Sequence, residues 1–160
     1  MLKIIENSTM HDVETAIRDM LAKSSESELV RQLAVEITSV GDPIVSIYNW
    51  TKSNVTYVSD PVIDNEDAEL FISPVRMAKD YYSNRPLAGD CDDHALLNTA
   101  LFRSIGLQSN VVILDQLGNG WNHAISQVFS TVANRYIFVD TTNLTKPLGW
   151  IERYVRRLDI

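Results

Sequence analysis

Three residues carry the chemistry this chain is best equipped for: Cys91, His123 and Asp140. Cys91 is the single cysteine and stands in the stretch GDCDDHALLNTALFRSIGL, residues 89–107. A thiol attacks carbonyls as its thiolate. The start of a helix favours that form through free backbone amides and the positive end of the helix dipole. With Asp90 as N-cap, Cys91 becomes the first helical residue. The flanking carboxylates of Asp90, Asp92 and Asp93 oppose the thiolate, so a base or imidazolium partner is needed to win. His123 follows the loop GNGWN and opens the stretch Ala124–Phe129, and Asp140 closes YIFVD. Neighbouring antiparallel strands would set His123 beside Asp140. A helix N-terminus facing that pair would complete a Cys–His–Asp set, in which the acid orients the imidazole and the imidazole takes the thiol proton. Gly89 gives the backbone freedom for a substrate to come close.

Each neighbour of the cysteine also has a plain structural use. Asp90 can accept from the amides of Asp92 or Asp93, and Asp93 can reach back to the Asp90 amide as in a capping box. Asp92 and Asp93 then read as caps and solvated charges. His94 lies three residues after Cys91, on the same helix face, and reads as a surface or supporting residue. A Cys91-x-x-His94 pair with His123 and Asp140 offers four ligand types for a metal. The Cys–His–Asp reading explains the same residues better, and no metal or cofactor is expected. His11 reads as a surface residue and Arg103 as a surface or salt-bridging one.

The elements that must position these side chains follow from periodicity. Val13, Ile17, Met20 and Leu21 predict a helix over 11–22, and Leu29, Leu33, Val35 and Ile37 a second within 25–39. Gly41-Asp42-Pro43 resets the chain, with Asp42 as N-cap and Pro43 at the first position of a helix carrying Ile44, Ile47 and Tyr48. Val55–Val58 either continues that helix or is extended. Residues 59–70, SDPVIDNEDAEL, read as an acidic surface loop, and Ser73-Pro74 opens a short helix to about Tyr82. From Cys91, Leu97, Leu101 and Ile105 recur every fourth residue, which marks a helix made for burial, with Gly106 at its C′ position. The period then changes. Val111–Leu114, Ala124–Phe129 and Tyr136–Val139 predict strands, the last two joined by a hairpin-length connection. Residues 143–160 read as a terminal helix or a strand. Helices followed by antiparallel strands predict an α+β fold.

Bulk properties narrow the function classes. The 160 residues fit one domain, with a helical part over 1–43 and a core over about 44–142. A formal net charge of −7 with no Lys/Arg run argues against nucleic-acid binding. One cysteine permits no internal disulfide and suits a reducing, cytoplasmic compartment. No apolar run approaches the roughly 18 residues that span a membrane, so no membrane association is expected. The sequons at Asn7, Asn54 and Asn143 are chance matches on this reading.

The run GDCDDxALL, then SIGL, then NHAISQV, then YIFVDTT resembles the transglutaminase-like branch of the papain-like cysteine proteases. The resemblance implies a papain-like α+β core and a catalytic Cys91, His123 and Asp140. It implies a protein or peptide substrate and a thioester passed to water or to an amine. The family's oxyanion side chain lies upstream of the cysteine, where Trp50, Tyr57 and Tyr82 are candidates, Trp50 reading also as a core residue; the Cys91 amide supplies one donor in any case. Trp121 either walls the pocket beside His123 or packs in the core. The sequence departs from the family in having Ile125 two residues after the histidine, where an aromatic is common. VTYVSDP, Ser73-Pro74 and GDCDD together resemble transglutaminase-like proteins of tailed phages and prophages. That implies a phage-encoded or virion-associated protein, for which an inactive fold with a binding or structural role is the alternative to an enzyme.

Overall fold

The protein is described here from a computed structural model covering residues 2–5, 9–60, 62–63, 66–67 and 69–160. Its centre is helix α5, Cys91–Ser104. Every residue from Asp92 to Phe102 is buried, so this helix has no solvent face over that length, and its polar residues Asp92, Asp93, His94, Asn98 and Thr99 are enclosed along with its apolar stripe. Fully burying Leu96, Leu97, Leu101 and Phe102 stabilises the fold by about 1.5–3 kcal/mol each. The helix ends as expected at Gly106, whose φ of +84° suits glycine. The Leu107 and Gly106 amides donate back to the carbonyls of Phe102 and Arg103, at 2.9 and 3.0 Å.

Helices α1 (Met10–Ser25), α2 (Glu28–Ile37), α3 (Pro43–Asn54) and α4 (Pro74–Tyr82) pack around α5. Their caps are local. Thr9 and Asp12 form a reciprocal capping box that starts α1. Asp42 accepts from the Ile44 and Val45 amides ahead of α3, with Pro43 at its first position. Ser73 accepts from the Arg76 amide, and Pro74 opens α4. Arg103, expected at the surface, is half-buried instead. Its Nε donates to the Ser109 carbonyl at 2.8 Å and so ties the end of α5 to the strand that follows.

On the other side of α5 lies a four-stranded antiparallel sheet in the order β10-β7-β8-β9, formed by Arg156–Asp159, Ser109–Asp115, His123–Ser130 and Arg135–Val139. Val111, Ile113, Ala124 and Val128 belong to the main core with α5. The opposite face carries a smaller cluster of Val112, Leu114 and Ile125, covered in part by Ile151 from the C-terminal segment. That segment ends as a strand beside β7, which decides between the two readings of 143–160. Val55–Tyr57 is extended: it forms β2, parallel to β6 (Leu87–Gly89).

The N-terminal part is not wholly helical, because Leu2–Ile5 forms strand β1, antiparallel to β5 (Glu69–Ile72). The expected loop over 59–70 falls partly outside the described residues. The described backbone there contains two short paired strands, β3 (Val62–Ile63) and β4 (Glu66–Asp67). No helix among the described residues is long and apolar enough to cross a membrane.

Candidate active site

Asp90 sits just ahead of α5 in an extended conformation, and its Oδ1 accepts from the Asp92 amide at 3.2 Å and the Asp93 amide at 3.5 Å. Cys91 is thereby the first residue of the helix, half-buried. Across from it, His123 begins β8 and Asp140 follows β9. The β8–β9 register pairs Ser126 with Val139, and it carries the two side chains to one end of the sheet. His123 Nε2 lies 3.0 Å from Asp140 Oδ2. The other carboxylate oxygen accepts from the Thr142 amide at 3.0 Å and from its hydroxyl at 2.7 Å. Burial works against charge on Asp140, but the bonds from His123 and Thr142 outweigh it and hold the carboxyl below its ordinary range. An ionised carboxylate only accepts, so Nε2 is the ring nitrogen that carries the proton. Nδ1 is then the nitrogen left to act as a base.

Cys91 and His123 line one cleft of about 230 Å³. Asp90, Asp92 and Asn122 give it a polar edge, and Tyr57 and Trp121 add aromatic walls. The phenol of Tyr57 is half exposed. Partial burial, and then the proximity of Cys91, push its pKa up, so it is a hydroxyl donor at neutral pH. Trp50 and Tyr82 are not among the residues lining the cleft. Trp50 stacks edge-on against Tyr81 at a centroid distance of 5.3 Å and packs on the core. Tyr82 donates its hydroxyl to Glu36 at 3.0 Å, and burial together with that carboxylate pushes its pKa up to about 12. Both are committed to holding α4, which removes them as oxyanion candidates.

Two neighbours of the cysteine are also placed differently from expectation. Asp92 and Asp93 are 7% and 1% exposed, not solvated. The strongest bond of Asp93 runs across the fold: its Oδ1 accepts from the Ile72 amide of β5 at 2.6 Å. Burial pushes its carboxyl up to about 8, against the pull of the backbone amides of Ile72 and Asp90. Gly89 is glycine for this side chain more than for a substrate. A Cβ there would meet the Cβ and Oδ2 of Asp93 at 2.6 Å.

His94 is 2% exposed, with Nδ1 2.9 Å from the Thr141 hydroxyl. Burial brings its pKa down to about 4, only partly offset by Asp140 and Asp90. Thr141 also accepts from Asn98 Nδ2 at 3.0 Å, and Asn98 Oδ1 accepts from the Thr51 hydroxyl at 2.8 Å. His94 is therefore a buried, neutral brace that ties α5 to the residue after Asp140. His11 is exposed on α1.

Among the described residues, the acidic and metal-ligating groups that converge are Asp90, Asp92 and Asp93, with ligand atoms within 4.8 Å of one another. The helix start and the Ile72 amide account for Asp90 and Asp93 without an ion. Cys91, His94, His123 and Asp140 do not form such a group.

Sequence reasoning missed Met10, Val13 and Ile17 of α1, which line the cleft opposite the sheet. Their i, i+3, i+7 spacing was visible, but it is the spacing of any core-facing stripe. It also missed Thr141, whose one signal was its place after Asp140.

Known proteins resemble this chain in family and in fold. A family model described as the transglutaminase-like superfamily matches residues 27–152. A candidate cysteine protease from Cytophaga hutchinsonii superposes with a TM-score of 0.55 at 21% identity, covering 89% of this chain and 50% of its own. A candidate protease from Parabacteroides distasonis gives 0.50 at 10% identity, over 86% of this chain and 30% of its own. Legionella pneumophila LapG gives 0.47 at 15% identity, over 82% and 64%. At these identities the structural likeness speaks for the fold, and this chain spans half the length of the Cytophaga protein. No curated protein sequence matches the chain. The papain-like α+β architecture and a family match that covers most of the sequence establish that the chain belongs to the transglutaminase-like superfamily.

Proposed function

We propose that the protein is a cysteine hydrolase or acyltransferase acting on a peptide or carboxamide bond. The observation that carries this reading is the 3.0 Å His123–Asp140 pair at a cleft that Cys91 also lines. His123 Nδ1 takes the thiol proton, and Cys91 Sγ attacks the carbonyl carbon. The negative charge that develops on oxygen is met by the Cys91 backbone amide at the start of the helix. The Tyr57 hydroxyl is the side-chain candidate for a second donor. As the C–N bond breaks, the imidazolium returns its proton to the departing amine, leaving a thioester on Cys91. Water or a second amine then attacks that carbonyl, loses its proton to His123, and the C–S bond breaks. Asp140 keeps the ring in its Nε2–H tautomer throughout.

The test is the pH dependence of Cys91 alkylation by iodoacetamide in the wild type and in His123→Ala. An ion-paired thiolate reacts well below the ordinary thiol pKa of about 8.5, and the variant moves the profile upward. Superimposable profiles near 8.5 would overturn the catalytic reading. They would leave the inactive fold with a binding or virion role.

A further inference from the structure

We propose that the cleft holds a selective subsite for one uncharged apolar side chain next to the scissile carbonyl, formed between Met10 and Val13 of α1 and Trp121 of the β7–β8 loop. This rests on the reading of Cys91 and His123 above and adds what those residues act on.

The two walls are built independently. Met10, Val13 and Ile17 lie on one face of α1, whose start is fixed by the Thr9–Asp12 capping box. Ile17 and Ile113 are 0% and 6% exposed and form the floor, while Met10 and Val13 are half-buried and can still be reached. Trp121, also half-buried, is braced from the C-terminal strand. The guanidinium of Arg156 lies over its ring, 5.0 Å from the centroid. Arg156 is itself held by the buried Asp115 carboxylate, which accepts from Nε at 2.8 Å and Nη2 at 2.6 Å. The other oxygen of Asp115 accepts from the Gly118 amide at 2.6 Å, and its carbonyl from the Val155 amide at 2.7 Å. The loop that delivers Trp121 and His123 is thus tied down at both ends, so the indole is a fixed wall. Arg156 acts through Trp121 and is a positioning residue.

Size and charge set the selection. A cleft of about 230 Å³ is smaller than the roughly 300–1,000 Å³ of sites for drug-sized ligands. It fits one aliphatic side chain with the adjoining backbone. Asp90 and Asp92 on the opposite edge disfavour a carboxylate there.

The experiment measures inactivation of the intact protein by N-acetyl-aminoacyl vinyl sulfones bearing Gly, Leu, Lys or Glu side chains. Iodoacetamide serves as the probe without a side chain. We expect Leu to react about tenfold or more faster than Gly, and Glu slowest, in line with the 10–200-fold that a methylene-sized difference is worth in an apolar pocket. Val13→Phe should bring the Leu rate down to that of Gly, and Met10→Ala should move the preference toward a larger side chain. Arg156→Lys, which keeps the charge and loses the fork, should lower the Leu rate more than the Gly rate and so narrow the ratio between them.

A second readout does not need the thiol. In Cys91→Ala, N-acetyl-leucinamide should shift the Trp121 indole N–H resonance at concentrations where N-acetyl-glycinamide does not. Equal rates for all four side chains, or no difference between the two amides at Trp121, would overturn the subsite. Failure of the catalytic reading shows separately: ordinary iodoacetamide profiles in wild type and His123→Ala, with the Trp121 ordering intact.

Discussion

The chain contains two Asp and His placements that are treated in opposite ways. At the cleft edge, His123 and Asp140 face each other, and the carboxyl is held ionised by the bonds it accepts. In the first turn of α5, Asp93 and His94 lie beneath the surface, and burial outweighs the charges near them. Burial pushes the acid up to about 8 and the base down to about 4. Both are neutral near pH 7. The difference lies in what opposes burial: His123 and Thr142 outweigh it at Asp140, whereas the Ile72 and Asp90 amides do not at Asp93. The first pair is suited to moving a proton. The second positions backbone: Asp93 grips the Ile72 amide, and His94 grips Thr141 beside Asp140.

The largest effect should come from making the same substitution on each side of this comparison. Asp140→Asn should lower kcat/KM for an amide or thioester-forming substrate by about 10⁴, by favouring the wrong tautomer of His123. Asp93→Asn should lower it by no more than a few-fold, because a protonated acid and an amide are near-isosteres. Equal losses in the two variants would erase the distinction.

Next in size is the brace. Thr141→Val removes the hydroxyl shared by His94 and Asn98 and leaves both buried partners unsatisfied. A loss of about 2–3 kcal/mol in urea-unfolding stability is expected. A value near zero would mean that His94 is not held through this contact.

A pH effect of about 2 kcal/mol follows from the neutral acid. Folded Asp93 keeps its proton up to about pH 8, whereas the unfolded carboxyl loses it near 4. Unfolding releases a proton between those values, so stability falls as pH rises, by up to about 1.4 kcal/mol per unit. His94 has the opposite slope, but only between its folded value of about 4 and its unfolded value near 6.5. Asp60, raised to about 6 chiefly by burial, adds to the fall only below that pH. From pH 6.5 to 8, Asp93 acts without either. Urea titrations should show wild-type stability declining over this window and Asp93→Asn flat.

The smallest effect concerns the cap. Asn serves as N-cap about as well as Asp, so Asp90→Asn should change stability by less than about 0.5 kcal/mol. Removing that charge should still lower the midpoint of Cys91 alkylation by a few tenths of a pH unit. A rise in the midpoint would contradict the view that Asp90 opposes the thiolate.

Much of the fold could be read locally. The Asp90 cap, the fourfold leucine spacing and Gly106 delimit α5 to within a residue. Asp42-Pro43 and Ser73-Pro74 begin helices where expected, because capping depends on a side chain and amides two or three residues away. The alternating stretches became β7, β8 and β9. Where the reading went astray, the deciding contact was distant in sequence. Tyr82 was drawn away from the cleft by Glu36, whereas Trp50 packs on the core and against Tyr81, in keeping with its core reading. Asp92 and Asp93 lost their solvent to elements that sequence spacing does not reveal. The apolar face of α1 carries no mark separating cleft wall from core.

By itself, then, the sequence determined which residues begin and end the main helices and strands, and that a cysteine, a histidine and an aspartate occur in family order at element ends. Those are matters of capping, periodicity and side-chain chemistry, which act over a few residues. The tertiary structure alone decided which other Asp and His are stripped of charge, and that Met10 and Val13 of α1 and an Arg156-braced Trp121 line the cleft that Cys91 also lines. Burial and Coulomb interactions depend on distance through space, and only the packed chain sets that distance.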